Sequence, residues 1–234
     1  MLQLIVSRLL LSVWLLLLTG PVVAQADDHE LGAWYMYFFD ARFDNSRWGF
    51  QGDVQSRNWD ICCDVRQLLA RGGLTWHTKD NSATLVLGYA RFFNGESGPS
   101  SANFYENRIY QDILLPQKLS ERIFLRHRFR FEQRWIEDQD FRTRFRYTIF
   151  ADVPLNMTSL KKGAWYLAFY NEIFFNGERD IGNGKQVETF DRNWLYGALG
   201  YSLSDTLRLQ GGYMYEYTDT TTKGQLQFSL HQFF

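Results

Sequence analysis

The sequence predicts an all-β protein: a transmembrane, antiparallel up-and-down β-barrel of about 10 to 12 strands that follows a cleaved signal peptide. Three observations carry this. The chain opens with an export-type leader, segments of period-two character recur along the rest, and the final segment ends on Phe233 and Phe234.

In the leader, Arg8 precedes the apolar run Leu9–Leu18, Gly20 and Pro21 break it, and Ala24, Gln25 and Ala26 have the small-x-small form of a cleavage site. The run is short for a spanning helix. Residues 1–26 are therefore read as a signal peptide and 27–234 as one barrel domain, the mature chain beginning at Asp27. No cysteine follows the apolar run, so a lipoprotein is not expected. With 25 basic and 26 acidic residues the chain is close to neutral, which gives no support for nucleic-acid binding.

Period-two segments fall at 31–40, 47–57, 65–78, 83–93, 104–115, 121–135, 141–153, 164–175, 190–203, 207–217 and 224–234. Such lengths suit tilted membrane strands of about 9 to 11 residues better than soluble strands of about 5 or 6. In 121–135, Ile123, Leu125, Phe129, Phe131 and Trp135 occupy odd positions and Arg126, Arg128, Arg130, Glu132 and Arg134 even ones. The next segment repeats this, with Phe141, Phe145, Tyr147, Ile149 and Val153 against Arg142, Arg144, Arg146 and Asp152. In the last, Leu226, Phe228, Leu230 and Phe234 face one way and Gln225, Gln227, Ser229 and His231 the other. A soluble sandwich could contain one such strand; a run of them fits a lipid-facing wall around a polar lumen. His127 is the exception, a polar residue among lipid-facing positions.

With the C-terminus in the periplasm, the connections near 58–64, 94–103, 136–140, 176–189 and 218–223 fall outside, and 79–82, 116–120 and 204–206 inside. The inner connection 154–163 is long for a periplasmic turn. Eleven segments also conflict with the even strand number expected of a bacterial barrel. Either 31–40 is not a wall strand, or a twelfth strand is hidden.

The arginine ladders are the main chemical feature. A hairpin register pairing residue i with 276 − i sets Arg134 opposite Arg142, Glu132 opposite Arg144 and Arg130 opposite Arg146. The strip needs further carboxylates, and Glu106, Asp112, Asp152, Glu172 and Glu216 are the candidates. It reads either as a salt-bridge network filling a narrow barrel or as a charged wall that selects ions. Tyr213, Tyr215, Tyr217, Trp165 and Phe234 read as interfacial girdles in preference to a carbohydrate platform.

Histidine tests the enzymes. Only Ser229 and His231 share a strand and a face, and no third member of a triad is evident, so no catalytic set is assigned. Cys62 and Cys63 are adjacent and read as a locally oxidised or packed loop pair; no second Cys or His cluster completes a metal site. No cofactor is expected.

Several stretches carry a resemblance. They are Glu106 to Gln111, Arg126 to Arg134, Phe141 to Arg146, Tyr170 to Asn176, and Phe190 to Asn193. Together they resemble the uncharacterised Gram-negative outer-membrane family DUF2490, best from about 104 to 217; in the last stretch Arg192 departs from the family's form. The resemblance implies an outer-membrane barrel and brings no activity. Expected partners are outer-membrane lipid and lipopolysaccharide, and the barrel insertion machinery acting through the last strand. The first functional reading is a narrow channel for small solutes with an Arg/Glu lumen. The alternatives are a lipid- or lipopolysaccharide-modifying enzyme and a structural barrel whose loops bind a partner.

Overall fold

A computed structural model describes residues 31–98 and 102–234. The expected leader, residues 1–26, and the expected mature start at Asp27 lie outside the described residues. Eleven strands close into one barrel in chain order. They are β1 (Gly32–Arg42), β2 (Trp48–Asn58), β3 (Val65–His77), β4 (Thr84–Gly95), β5 (Asn103–Lys118), β6 (Phe124–Ile136), β7 (Arg142–Pro154), β8 (Trp165–Asn176), β9 (Phe190–Ser202), β10 (Leu207–Tyr217) and β11 (Thr222–Phe233). Each period-two segment forms one of them.

Two expectations change. β1 is a wall strand, and no twelfth strand occurs among the described residues, so the even count does not hold. Nor is every pair antiparallel: β1 and β11 run parallel, from Gly32 opposite Gln225 to Asp40 opposite Phe233. An up-and-down meander of odd number must bring its first and last strands together pointing the same way, and a parallel ladder is only slightly weaker per residue. Beyond the ladder, the Phe234 N–H donates to the Asp40 carbonyl at 2.8 Å and the Arg42 N–H to the Phe234 carbonyl at 3.5 Å. Deleting Phe233 and Phe234 removes this end of the seam. The refolded protein is then expected to unfold at a lower urea midpoint, followed by tryptophan fluorescence; an unchanged midpoint would show that the seam does not depend on its last two residues.

Connections 59–64, 137–141, 177–189 and 218–221, with residues 96–98 and 102, lie at one end, here the disulfide rim because it carries Cys62 and Cys63. Those at 43–47, 78–83, 119–123, 155–164 and 203–206 lie at the C-terminal rim. Apart from 177–189 and 155–164 they are all short, so the expected contrast between long loops and tight turns is slight. In the 78–83 turn, the hydroxyl groups of Ser82 and Thr78 and the Ser82 N–H hold the Asp80 carboxyl down at about 2.

Side chains alternate between wall faces along each strand. Outward positions include Leu87, Phe129 and Leu199 in the middle of the wall, Trp48 and Trp165 near the C-terminal rim, and Tyr105 and Trp135 near the disulfide rim, all exposed. His127 also points outward, yet it is buried, because Tyr147 Oη at 2.8 Å and Gln117 Oε1 at 2.9 Å close over its ring nitrogens.

An eight-stranded barrel is filled by ordinary side chains, and bore width grows with strand number. Eleven strands therefore need long or broad side chains inside. Trp34, Phe174, Trp194 and Met214 form one buried cluster, and Leu69, Val86, Phe92 and Tyr110 another. Two of the interior tyrosines lie across a glycine of the neighbouring strand. Tyr110 pairs with Gly88 and Tyr166 with Gly200, each ring resting where a Cβ would stand.

Candidate functional site

The interior charge network is built from the β6–β7 hairpin, whose register sets Arg134 opposite Arg142, Glu132 opposite Arg144 and Arg130 opposite Arg146. Cations facing cations need anions from elsewhere in the bore. Glu132, only 1% exposed, meets Arg144 and Arg146 at 2.7 Å, Arg108 at 3.5 Å and Arg130 at 3.9 Å. From β5, Asp112 takes Arg130 in a two-pronged pair at 2.6 and 2.7 Å, and Glu106 takes Arg134 at 2.6 Å and Arg108 at 2.7 Å. From β8, Glu172 accepts from Arg146 at 2.7 Å and Arg128 at 2.8 Å. From β10, Glu216 accepts from Arg66 at 2.9 Å, Arg192 at 3.4 Å and the Trp194 indole at 2.6 Å.

Three sequence-selected residues stay outside this set. Asp152 and Arg126 lie near each other toward the C-terminal rim but form no ion pair among the described residues, and Arg126 is exposed, lying over the Phe150 ring at 4.5 Å. Arg142 is buried and likewise makes no ion pair. Conversely, sequence reading passed over Asp53 with Arg71 (2.8 Å), Asp191 with Arg144 and Arg192 (2.9 and 3.1 Å), and Arg57. A faint signal existed, since Asp53, Gln55 and Arg57 share one parity on β2.

The rings of the bore complement the cations. Arg57 lies over Trp34 at 3.9 Å, Arg108 over Phe92 at 3.8 Å and Arg130 over Tyr110 at 4.2 Å. Such stacking is worth about 0.5–2 kcal/mol, more where water is excluded. A wide water-filled bore would leave its lining accessible to solvent. The central layer is not: Asp112, Arg130, Arg146 and Glu172 are at most 5% exposed.

Toward the disulfide rim this packing gives way to a cavity of about 340 Å³, lined among others by Arg57, Arg66, Arg134, Arg142, Arg192 and Trp194. On the same rim, Cys62 and Cys63 are joined to each other, so neither offers a thiolate. Asp60 Oδ1 accepts the N–H groups of Asp64 (2.9 Å), Cys63 (2.8 Å) and Cys62 (3.1 Å), and these bonds, that from Asp64 foremost, hold its carboxyl below the usual range. Near the C-terminal rim, Ser229 Oγ lies 2.9 Å from His231 Nε2. His231 stacks on Phe38, and no carboxylate hydrogen-bonds to it among the described residues.

Fold and interior together define a closed eleven-stranded β-barrel with an ion-paired core. A family model described as a protein of unknown function (DUF2490) matches residues 31–227, and the chain belongs to that family. Comparison with curated proteins gave no match, and comparison with solved structures gave none.

Proposed function

We propose that this chain is a bacterial outer-membrane barrel whose interior is filled, and whose working surface is the cavity at the disulfide rim. Support for the membrane comes from the outward wall, an apolar band with Trp and Tyr toward both rims, as lipid and its interfaces require. The observation that carries the filled reading is the buried, ion-paired central layer of Asp112, Arg130, Glu132, Arg146 and Glu172. Lumen charges of an open pore would be wetted and would act through ion selectivity.

Orientation rests on β11, whose aromatic end is the recognition signal for the insertion machinery. With that end in the periplasm, the cavity opens to the outside, where outer-membrane lipid and lipopolysaccharide surround it. The narrow-channel reading requires a path through the central layer. An enzyme would have to use Ser229 and His231. That pair has no third member among the described residues to orient the imidazole, which stacks on Phe38.

Two measurements test the proposal. Fractionation is expected to place the protein in the outer membrane; release with the soluble periplasm would overturn the membrane reading. Refolded protein in planar bilayers is expected to show no steady single-channel conductance, and a sustained ohmic conductance would restore the channel in its place.

A further inference from the structure

The cavity at the disulfide rim holds an imbalance that the protein's own residues do not resolve. Nine arginines and two glutamates contribute to its lining. Most of those arginines are answered by carboxylates in or behind the wall. Two are not. Arg57 donates only to the neutral side chains of Gln55 and Gln67, each at 2.9 Å. Arg142, 8% exposed, makes neither hydrogen bond nor ion pair among the described residues, and its Nε is enclosed without an acceptor. Nη1 of Arg66 and Nε of Arg192 are also buried donors without acceptors.

A guanidinium taken out of water without a counter-charge is costly, and removing the partner of a buried ion is among the most destabilising changes a protein can suffer. Arg142 also faces Arg134 across the β6–β7 ladder, and Arg134 has already given its Nε to Glu106. The packing thus leaves a cationic corner next to open volume of ligand size, since small-molecule pockets begin at about 300 Å³. The planar fork of arginine matches carboxylate and phosphate oxygens.

We infer that the cavity is a binding site for the phosphate or carboxylate group of a small molecule, with Arg142 as its principal ligand and Arg57, Arg66 and Arg192 completing the cradle. Trp194 and the other rings of the lining would meet the rest of that molecule. This deepens the filled-barrel reading, on which it rests only in that the anion stays and does not pass through.

The test uses the refolded full-length mature chain in a neutral detergent, with inorganic phosphate as probe and isothermal titration calorimetry as readout. Saturable binding is expected. Arg142→Gln should weaken it by about tenfold or more, as the loss of a charge-assisted contact does. Arg179→Gln, which removes an exposed cation of the same rim, should leave it unchanged. If Arg142→Gln does not refold, the wild-type protein still decides: phosphate should raise its melting temperature above that in chloride at equal ionic strength. Repeating the titration in vesicles of phosphatidylcholine and of phosphatidylglycerol separates the sources. Equal affinity in both assigns a soluble anion, and competition by phosphatidylglycerol assigns a lipid headgroup. Absence of saturable binding, or an Arg142→Gln protein that binds like the wild type, overturns the site. Conductance with binding retained would instead overturn the filled barrel and leave the site standing.

Discussion

Glu132→Ala is expected to lower the unfolding free energy of the refolded barrel by about 3 to 5 kcal/mol, read as a shift of the urea midpoint followed by tryptophan fluorescence. Glu132 is the shared anion of Arg144 and Arg146 and lies within ion-pair distance of Arg108 and Arg130, all within 3.9 Å. Removing it leaves those cations repelling one another in a buried layer. Because Glu172 also serves Arg146, and Asp191 also serves Arg144, the network does not collapse at every node, which keeps the loss within that range. The exposed pair Lys118–Glu121 is the internal control: with side chains 54% and 86% exposed, it is expected to contribute at most about 1 kcal/mol. Equal small effects from Glu132→Ala and Glu121→Ala would mean that the central layer is hydrated.

Gly200→Ala is the second large effect. Tyr166 crosses over Gly200 in register, and a methyl group there would stand inside the ring. Overpacking of this kind costs about 1 to 3 kcal/mol. Truncating the other partner, Tyr166→Ala, leaves a hole in the aromatic cluster and should cost about 3 to 5 kcal/mol. The double variant is expected to be more stable than the two losses added together, because the new methyl enters the space that the ring vacates. Strict additivity in urea unfolding would show that the ring and the glycine do not share one volume.

The strands were legible wherever lumen positions are strongly charged. On β6 and β7 arginine marks the inner face and aromatics the outer, so parity alone fixed both facing and register. Elsewhere the rule blurs, because part of the bore is filled with apolar residues. Trp34, Phe92, Tyr110 and Trp194 point inward. Hydropathy alternation assigns such residues to lipid, and it therefore hid Asp53, Arg71 and Asp191 as members of the network. Asp152 shows the opposite error: it has the parity of a partner and lies near Arg126, yet it forms no ion pair among the described residues. The strand count was legible and its interpretation was not, since whether the first strand closes on the last is set by a contact between the two ends of the chain. For the same reason Arg142 looked like any other rung of the ladder. Its lack of an ion pair is set by the neighbouring strands and not by its own.

The parallel seam has a consequence for how such a wall is made. In an even-stranded barrel the chain enters and leaves on the same side, and neither terminus has to be carried across. Here β1 begins at the disulfide rim and β11 ends at the opposite one, so in a membrane the two ends of the domain occupy different compartments. Hairpins β2 through β11 can be laid down in sequence, each pairing with a neighbour already in place. In the membrane setting proposed above, β1 would instead have to travel with its leading end through the bilayer before it could join a strand nearly two hundred residues away. Ladders of such long sequence separation form slowly. In that setting, sealing the barrel and delivering its N-terminal end to the far side are one event.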